Sequence, residues 1–301
     1  MSVSLDHCLV IGISSRALFD LDEENKIYEE QGLEAYEDYQ LSHEDEILKP
    51  GSGFALVKAL LKLNERYQQH IVEVLIMSRN SANTSLRIFN SVAYYGLDIT
   101  RAVLTSGASL SPYLSAFGVD LFLSANEDDV KKAIMDGHAA GRIYTNTIKH
   151  YDPLQEIDQI RIAFDGDAVL FSNEAEAIFQ KEGLDAFVKH EAMNAKEQLP
   201  KGPFAKFLKM ISDLQKRIET DDSPIRTALV TARNAPAHER VIRTLRSWDV
   251  RIDEAFFLGG LAKTDVLKAF DPHIFFDDQK SHADQASQVV PSAQVPWSEK
   301  L

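Results

Sequence analysis

Short runs of apolar residues alternate along this chain with longer segments in which apolar residues recur every three or four positions. The short runs predict buried strands, and the helical spacing of the longer segments predicts amphipathic helices. In the first half, strands are predicted at residues 8–13, 72–77, 102–105, 120–123 and 142–144. Helices are predicted at residues 54–66, 86–95 and 128–136, and the acidic segment 20–46 is predicted to be helical and exposed. Such alternation is typical of α/β folds with parallel sheets.

The second half of the chain repeats the order of the first. Four segments match segments that lie about 150 residues earlier. The matching pairs are 32–36 with 183–187, 50–54 with 200–204, 75–80 with 229–234, and 114–117 with 267–270. We interpret them as an internal duplication, with chance similarity between α/β patterns as the alternative. The predicted fold is therefore two Rossmann-like units with parallel sheets, at residues 1–150 and 151–301, with a linker at 145–159.

Composition limits the classes of partner. The 301 residues are 45% hydrophobic and 26% charged, which is ordinary for a soluble globular protein. The net charge of −14 argues against a nucleic-acid or membrane partner, whereas a small anionic substrate needs only a local positive field. Cys8 is the single cysteine, so an internal disulfide is excluded and a reducing, cytoplasmic location is predicted. Neither a signal peptide nor a membrane helix, which needs roughly 20 apolar residues, is predicted.

Two acids follow the first apolar run of the second half. The stretch 162–171 begins with apolar residues, presents Asp165 and Asp167, and turns at Gly166. Carboxylates this close repel each other, so a site that keeps both ionised needs a cation between them. One of them can then attack a phosphorus atom while the other transfers a proton. A solvated acidic turn is the alternative for this motif taken alone.

Other polar side chains follow later elements of the same half. Thr231 follows an apolar run, Lys263 follows a loop with two glycines, and the adjacent Asp277 and Asp278 follow another apolar run. Polar groups at the carboxyl ends of parallel strands share one edge of the sheet, which is where ligands bind in open α/β folds. A hydroxyl, an ammonium and several carboxylates together predict a site for phosphate and Mg²⁺.

This ordered set of motifs resembles the haloacid dehalogenase superfamily of phosphohydrolases. The resemblance implies that Asp165 is the nucleophile, which forms an aspartyl-phosphate, and that Asp167 is the general acid/base. It implies that Thr231 and Lys263 hold the phosphoryl group, and that Asp278 is the first choice for direct contact with Mg²⁺. The residues of the implied metal site are Asp165, Asp167, Asp277 and Asp278.

Over nearly its whole length the chain resembles, more narrowly, the cytosolic type I 5′-nucleotidase family. The stretches that carry this resemblance are 14–19, 39–44, 163–172, 229–233 and 273–278. It implies Mg²⁺-dependent hydrolysis of nucleoside 5′-monophosphates, AMP first among them, by a homo-oligomer that a nucleotide effector such as ADP regulates. The alternatives are a phosphatase for another small phosphomonoester, such as a sugar phosphate, and a nucleotide-sensing binding module without catalysis.

The superfamily resemblance also implies a cap at residues 173–219, which closes over the phosphate. Within it, Phe187 is a candidate for stacking on the nucleotide base and His190 for hydrogen-bonding to it. Packing inside the cap and exposure to solvent are the favoured alternatives for these two. Arg233 is a candidate for phosphate binding at a helix N-terminus, with a surface salt bridge as the equal alternative.

The first half lacks the catalytic residues at the matching positions, so we predict no chemistry there. The residues that replace them are Ser14, Arg16, Met77, Leu110, Ser124 and Ala125. Arg16 is a candidate for holding the phosphate of a nucleotide effector, because arginine offers a planar fork of donors. Pairing of Arg16 with a neighbouring acid, with this half acting as structure alone, is the slightly favoured alternative.

Overall fold

The computed structural model describes residues 5–145, 152, 155–218 and 223–296. The described part of the chain forms ten strands in one sheet. The strands are β1 (Leu9–Ile13), β2 (Val72–Ser78), β3 (Arg101–Leu104), β4 (Leu121–Ser124), β5 (Ala140–Ile143), β6 (Ile160–Phe164), β7 (Ile225–Thr231), β8 (Glu254–Phe257), β9 (Ile274–Asp277) and β10 (Ser292–Gln294).

Helices separate most of the strands along the chain, as the alternating pattern predicts. They are α1 (Ser15–Leu18), α2 (Asp22–Gln31), α3 (Leu33–Ser42), α4 (Phe54–Tyr67), α5 (Leu86–Tyr94), α6 (Ser111–Ala116), α7 (Glu127–Met135), α8 (Glu174–Glu182), α9 (Leu184–Met193), α10 (Ala205–Arg217), α11 (His238–Ser247), α12 (Lys263–Phe270) and α13 (Lys280–Ser287). The acidic segment predicted as helical divides into α2 and α3 because Gly32, between them, takes a φ of 89°. Within the described ranges, no helix has the length and apolar character needed to cross a bilayer.

The sheet runs in the order β3-β2-β1-β4-β5-β10-β9-β6-β7-β8. Neighbouring strands pair in parallel within each half, as predicted. Strands β5 and β10 pair antiparallel, with Ile143 opposite Ala293. The predicted parallel sheets of the two halves are therefore one mixed sheet, because this antiparallel pair joins them. An edge strand leaves backbone N–H and C=O groups unpaired, and the antiparallel pair satisfies them at the joint.

The core also crosses the joint between the halves. Helix α4 of the first half packs on β6 of the second, and α10 of the second half packs on β1 of the first. One hydrophobic cluster contains buried side chains from both halves, including Phe54 and Phe207. Burial of this shared apolar surface stabilises the two halves together.

The predicted boundary between the halves stays a prediction. Within the predicted linker, residues 146–151, 153 and 154 lie outside the described residues, as does residue 219 at the end of the predicted cap.

Candidate active site

Five of the candidate side chains meet at one edge of the sheet. Asp165 directly follows β6, Thr231 is the last residue of β7, and Asp277 is the last residue of β9. Because β9, β6 and β7 are adjacent and parallel, their carboxyl ends lie side by side. Lys263, the first residue of α12, and Asp278, directly after β9, join them there.

Lys263 lies between two carboxylates. Its Nζ donates to Oδ2 of Asp277 at 2.7 Å and lies 2.8 Å from Oδ1 of Asp165. Burial alone would lower the pKa of this ammonium, but the two carboxylates raise the pKa above its usual value. The buried side chain therefore remains a cation beside Asp165.

Three carboxylates lie close enough to share one metal ion. Oxygen atoms of Asp165, Asp277 and Asp278 all lie within 4.8 Å of one another. Burial, reinforced by neighbouring acids, raises the pKa of Asp165 to about 7 and the pKa of Asp278 to about 8. Burial acts in the same direction on Asp277, but Lys263 and His282 hold the pKa of Asp277 below its usual value. When ionised, the three carboxylates carry more negative charge than the ammonium of Lys263 can balance. Their oxygen atoms are ligands of the kind that Mg²⁺ prefers.

A tight turn after β6 holds the two acids of the first motif. The backbone N–H of Asp165 donates to the carbonyl of Phe276 on β9 at 2.8 Å, which fixes the end of β6. A Cβ on Gly166 would lie 3.3 Å from Oγ1 of Thr231, so the glycine permits the close approach of β7. Ala168 takes a φ of 57°, which turns the chain directly after Asp167.

Arg233 holds Asp167 through two hydrogen bonds. Nε of Arg233 donates to Oδ2 of Asp167 at 2.8 Å, and Nη2 donates to Oδ1 at 2.7 Å, which makes a bidentate pair. Arg233 is only 4% exposed, so the surface alternative for this residue is wrong, and the ion pair is part-buried because Asp167 keeps some exposure. Burial would lower the pKa of the guanidinium, but Asp167 and Glu191 raise it. A direct phosphate contact by Arg233 stays a prediction.

Glu191 of α9 is a site residue that the sequence analysis missed. It is completely buried and accepts hydrogen bonds from Nη1 of Arg233 and from Nη1 of Arg240, the latter at 2.8 Å. A signal for it was present in the sequence, since Glu191 falls in the same helical stripe as Phe187 and Val188. An acid in an apolar stripe indicates a buried charge that needs a cationic partner.

The two candidates for base binding lie beside Glu191. Phe187 is buried, packs against Ala175, and has the guanidinium carbon of Arg233 5.5 Å from its ring centroid. Nδ1 of His190 lies 3.3 Å from Oε1 of Glu191. Both side chains thus have contacts within the protein, and their roles in base binding stay predictions.

The matching edge of the first half contains a cavity of about 400 Å³, lined in part by Ser14, Arg16, Met77 and Ser124. Nη2 of Arg16 lies 3.0 Å from Oδ1 of Asp22, which is the pairing with a neighbouring acid that the alternative predicts. An effector role for Arg16 stays a prediction.

The sequence matches the family model described as 5′-nucleotidase over residues 1–300. It is similar to the Homo sapiens protein named cytosolic 5′-nucleotidase 1B, with 39% identity over 306 residues that cover 98% of this chain and 50% of that protein. The chain therefore spans about half the length of this curated relative. A crystal structure of histidinol dehydrogenase from Elizabethkingia anophelis aligns with 81% of this chain and 49% of that chain, at 8% identity and a TM-score of 0.22, which is too low a likeness to carry an argument.

Proposed function

The chain belongs to the 5′-nucleotidase family, and from this premise we propose that it hydrolyses nucleoside 5′-monophosphates, with AMP as the first candidate, to a nucleoside and phosphate. The observation that carries the proposal is the cluster of Asp165, Asp277, Asp278 and Lys263 at the sheet edge. Such a cluster supplies a nucleophile, carboxylate ligands for a metal and a cation for an anionic phosphate, which are the groups that this reaction uses.

In the proposed first step, a carboxylate oxygen of Asp165 attacks the phosphorus atom. The bond between phosphorus and the 5′ oxygen breaks, and Asp167 gives a proton to that oxygen as the nucleoside leaves. Asp167 is protonated in this step and ionised in the pair with Arg233 that the structure shows. The enzyme is left with an aspartyl-phosphate at Asp165. In the second step, a water oxygen attacks the phosphorus, Asp167 takes a proton from the water, and the bond to Asp165 breaks to release phosphate. Both acids then have their starting protonation.

Thr231 and Lys263 are the proposed phosphate ligands. The ammonium of Lys263 lies 2.8 Å from Asp165, so it can balance the charge of a phosphoryl group that approaches the nucleophile. The hydroxyl of Thr231 lies beside the turn at Gly166, the residue that follows Asp165 in the chain. Arg233 is a third candidate for this role, although its guanidinium already contacts Asp167.

We propose that the carboxylates of Asp165, Asp277 and Asp278 hold Mg²⁺, together with the backbone carbonyl of Asp167. The mutual approach of the three carboxylates and the raised pKa values of Asp165 and Asp278 support this fit, because both indicate surplus negative charge. When bound, Mg²⁺ would neutralise part of this negative charge and of the negative charge on the phosphoryl oxygens. Asp278 is our first choice for direct contact, because Asp277 already accepts a hydrogen bond from Lys263.

We also propose that the two halves, residues 1–150 and 151–301, arose by internal duplication. The strand order supports this proposal, because it is the same in the two halves. From the outer edge of the sheet towards the joint, each half has its third, second, first, fourth and fifth strand in that order. In each half, a pair of helices (α2 and α3, or α8 and α9) follows the first strand and its turn. We propose that α8 and α9, within residues 173–219, belong to a cap over the active site.

The human relative is named as cytosolic, and we propose the same location for this chain. We propose a homo-oligomer because the family resemblance implies one. The net charge of −14 supports the proposal that neither nucleic acid nor an anionic membrane is a partner.

We propose the cavity of the first half as a nucleotide effector site, with ADP as the first candidate. Its position at the matching sheet edge, its volume of about 400 Å³ and the presence of Arg16 on its wall support this proposal. The test is calorimetric titration of Asp165→Asn protein with AMP and with ADP. Two binding events, one of which Arg16→Ala removes, support the effector site. A single event that Arg16→Ala leaves unchanged means that the first half is structural.

The test of the main proposal is phosphate release from a panel of nucleoside 5′-monophosphates and sugar phosphates, with Mg²⁺ and with excess EDTA. We expect release from nucleotides, AMP foremost, and loss of that release in EDTA. Preference for a sugar phosphate would favour the alternative phosphatase. Nucleotide binding without any phosphate release would favour the binding module.

A further inference from the structure

We infer that Glu191, on α9, is a positioning residue for Asp167 and acts through Arg233. The inference rests on the proposed function, in which Asp167 gives its proton to the leaving 5′ oxygen. It goes beyond that function because it makes the acid/base group depend on a helix that follows it in the chain, through a residue that contacts Arg233 and not Asp167.

The link consists of three side chains in series. Nε and Nη2 of Arg233 bind the two oxygens of Asp167, at 2.8 and 2.7 Å, and Nη1 of the same guanidinium binds Oε2 of Glu191. A planar guanidinium that contacts carboxylates at two of its edges has a fixed orientation. Removing the contact with Glu191 frees Arg233 to rotate, and the carboxyl group of Asp167 then loses its defined position.

Glu191 is itself held firmly. Its Oε1 accepts a hydrogen bond from Nη1 of Arg240 at 2.8 Å, and Nε of Arg240 donates to the carbonyl of Glu197 at 3.1 Å. Glu191, Arg233 and Arg240 are all nearly inaccessible to solvent. In this setting water cannot replace a lost partner, so the orientation of Arg233 depends on Glu191.

The first half offers an internal comparison without an acid/base residue. Gln40 of α3 lies eight residues after Gly32, as Glu191 lies eight residues after Gly183. Gln40 is buried, but its Nε2 donates to the hydroxyl of Tyr36 and its Oε1 has no partner among the described residues. Arg79, which matches Arg233, binds Asp129 instead. The half that lacks a counterpart of Asp167 therefore also lacks this link.

The experiment compares two leaving groups in Glu191→Gln. The 5′ oxygen of AMP needs a proton as it leaves, whereas the nitrophenolate of 4-nitrophenyl phosphate leaves without one. General acid catalysis is worth about 10²–10⁴ in rate, and kcat/KM reports only the steps up to departure of the leaving group, before the hydrolysis step that both substrates share. Partial misplacement of Asp167 should therefore lower kcat/KM for AMP by about 10–100-fold and kcat/KM for 4-nitrophenyl phosphate by less than about threefold. Equal loss for the two substrates, or no loss for either, overturns the inference.

A matched control accompanies this variant. Gln40→Leu changes the matching position of the first half, which has no acid/base residue. It should leave the ratio of the two kcat/KM values as in the wild type, and a ratio that changes as in Glu191→Gln would overturn the inference.

Two further outcomes concern the folding of the variant and the identity of the substrate, and neither prevents the test of Glu191. If Glu191→Gln does not fold, the double variant Glu191→Gln/Arg240→Met, which removes one charge of each sign, carries the same comparison. Wild-type protein that releases phosphate from other alkyl phosphates but not from nucleotides would contradict the proposed function. The leaving-group ratio, measured with that alkyl phosphate, would still decide the role of Glu191.

Discussion

At the scale of single residues, the candidate active site has more negative than positive charge. Lys263 contacts Asp165 and Asp277, yet Asp278 lies in the same cluster. Burial and neighbouring charge accordingly raise the pKa of Asp165 to about 7 and of Asp278 to about 8. A divalent cation bound among these carboxylates would therefore favour their ionised forms, including the ionised form of the proposed nucleophile Asp165.

Replacement of the proposed nucleophile is the most direct test at this scale. Asp165→Asn should lower phosphate release by at least about 10³-fold, because uncatalysed phosphate-monoester hydrolysis is extremely slow and an amide cannot form the aspartyl-phosphate. Steady-state turnover is the measurement, and an unchanged circular dichroism spectrum shows that the fold is kept. Ser14→Ala, at the matching position of the first half, is the control and should keep full turnover. Activity of Asp165→Asn within about tenfold of wild type would contradict the assignment.

The adjacent acids Asp277 and Asp278 should differ in what they contribute. Asp278→Asn should raise the Mg²⁺ concentration for half-maximal turnover by at least about tenfold, because it removes a charged ligand. Asp277→Asn should in addition lower the free energy of unfolding by about 1–3 kcal/mol, because buried Lys263 loses one of its two anionic partners. Mg²⁺ titration of turnover and chemical denaturation measure the two effects. An unchanged Mg²⁺ requirement in Asp278→Asn would remove it from the metal site.

At the scale of elements, the chain that returns from α9 supports the turn after Asp167. The N–H of Gly202 donates to the carbonyl of Leu170 at 2.9 Å, and Lys201 pairs with Phe171 in a short antiparallel bridge. A Cβ on Gly202 would lie 2.3 Å from the carbonyl oxygen of Phe171 and 2.5 Å from that of Val169. These contacts are with backbone atoms, which cannot move away independently of the turn.

Gly202→Ala should therefore destabilise the protein through this turn. Overpacking of a tight contact costs about 1–3 kcal/mol, and we expect at least the upper value because backbone oxygens are involved. The midpoint of urea denaturation is the measurement, and Lys201→Ala, at the neighbouring exposed position, is the control with little expected effect. A midpoint equal to that of wild type would show that the two backbone segments separate without cost.

At the scale of the whole molecule, one continuous sheet connects the candidate active site with the cavity of the first half. The antiparallel pair of β5 and β10 closes the joint, and α4 and α10 each pack on the other half. Because buried apolar surface is shared across the joint, loss of structure in one half exposes core residues of the other. The two halves are therefore expected to unfold as one cooperative unit.

The stability of the metal-free protein should fall as pH rises. An aspartate in an unfolded chain has a pKa of about 3.9, whereas the folded values of Asp165 and Asp278 are about 7 and about 8. Between these limits the folded state binds more protons than the unfolded state, so the free energy of unfolding declines with pH. Denaturation in EDTA at pH 5.5 and at pH 8.5 should show this decline, since pH 5.5 lies inside that interval and pH 8.5 lies just above it.

Added Mg²⁺ should stabilise the protein more at the higher pH than at the lower one, because it binds the ionised carboxylates. The double variant Asp165→Asn/Asp278→Asn is the control, and its stability in EDTA should depend less on pH. A wild type and double variant with the same pH dependence would mean that these two acids do not carry the effect.

The sequence by itself predicted most of the elements and the sheet edge at which the candidate active-site residues meet. The apolar spacing of 54–66 predicts a helix that the structure has at Phe54–Tyr67, and the runs before Asp165, Thr231 and Asp277 predict strands that the structure contains. Periodicity and strand-end polarity are local properties, so they can be read from neighbouring residues. The parallel arrangement then places the ends of adjacent strands at a common edge.

Only the tertiary structure decided which distant groups complete these local features. Glu191 meets Arg233 42 positions away, and β5 meets β10 across the two halves. The physical reason is that a buried charge or an open strand edge specifies only that it needs a partner. Which partner it finds depends on the packing of segments that are far apart in the chain.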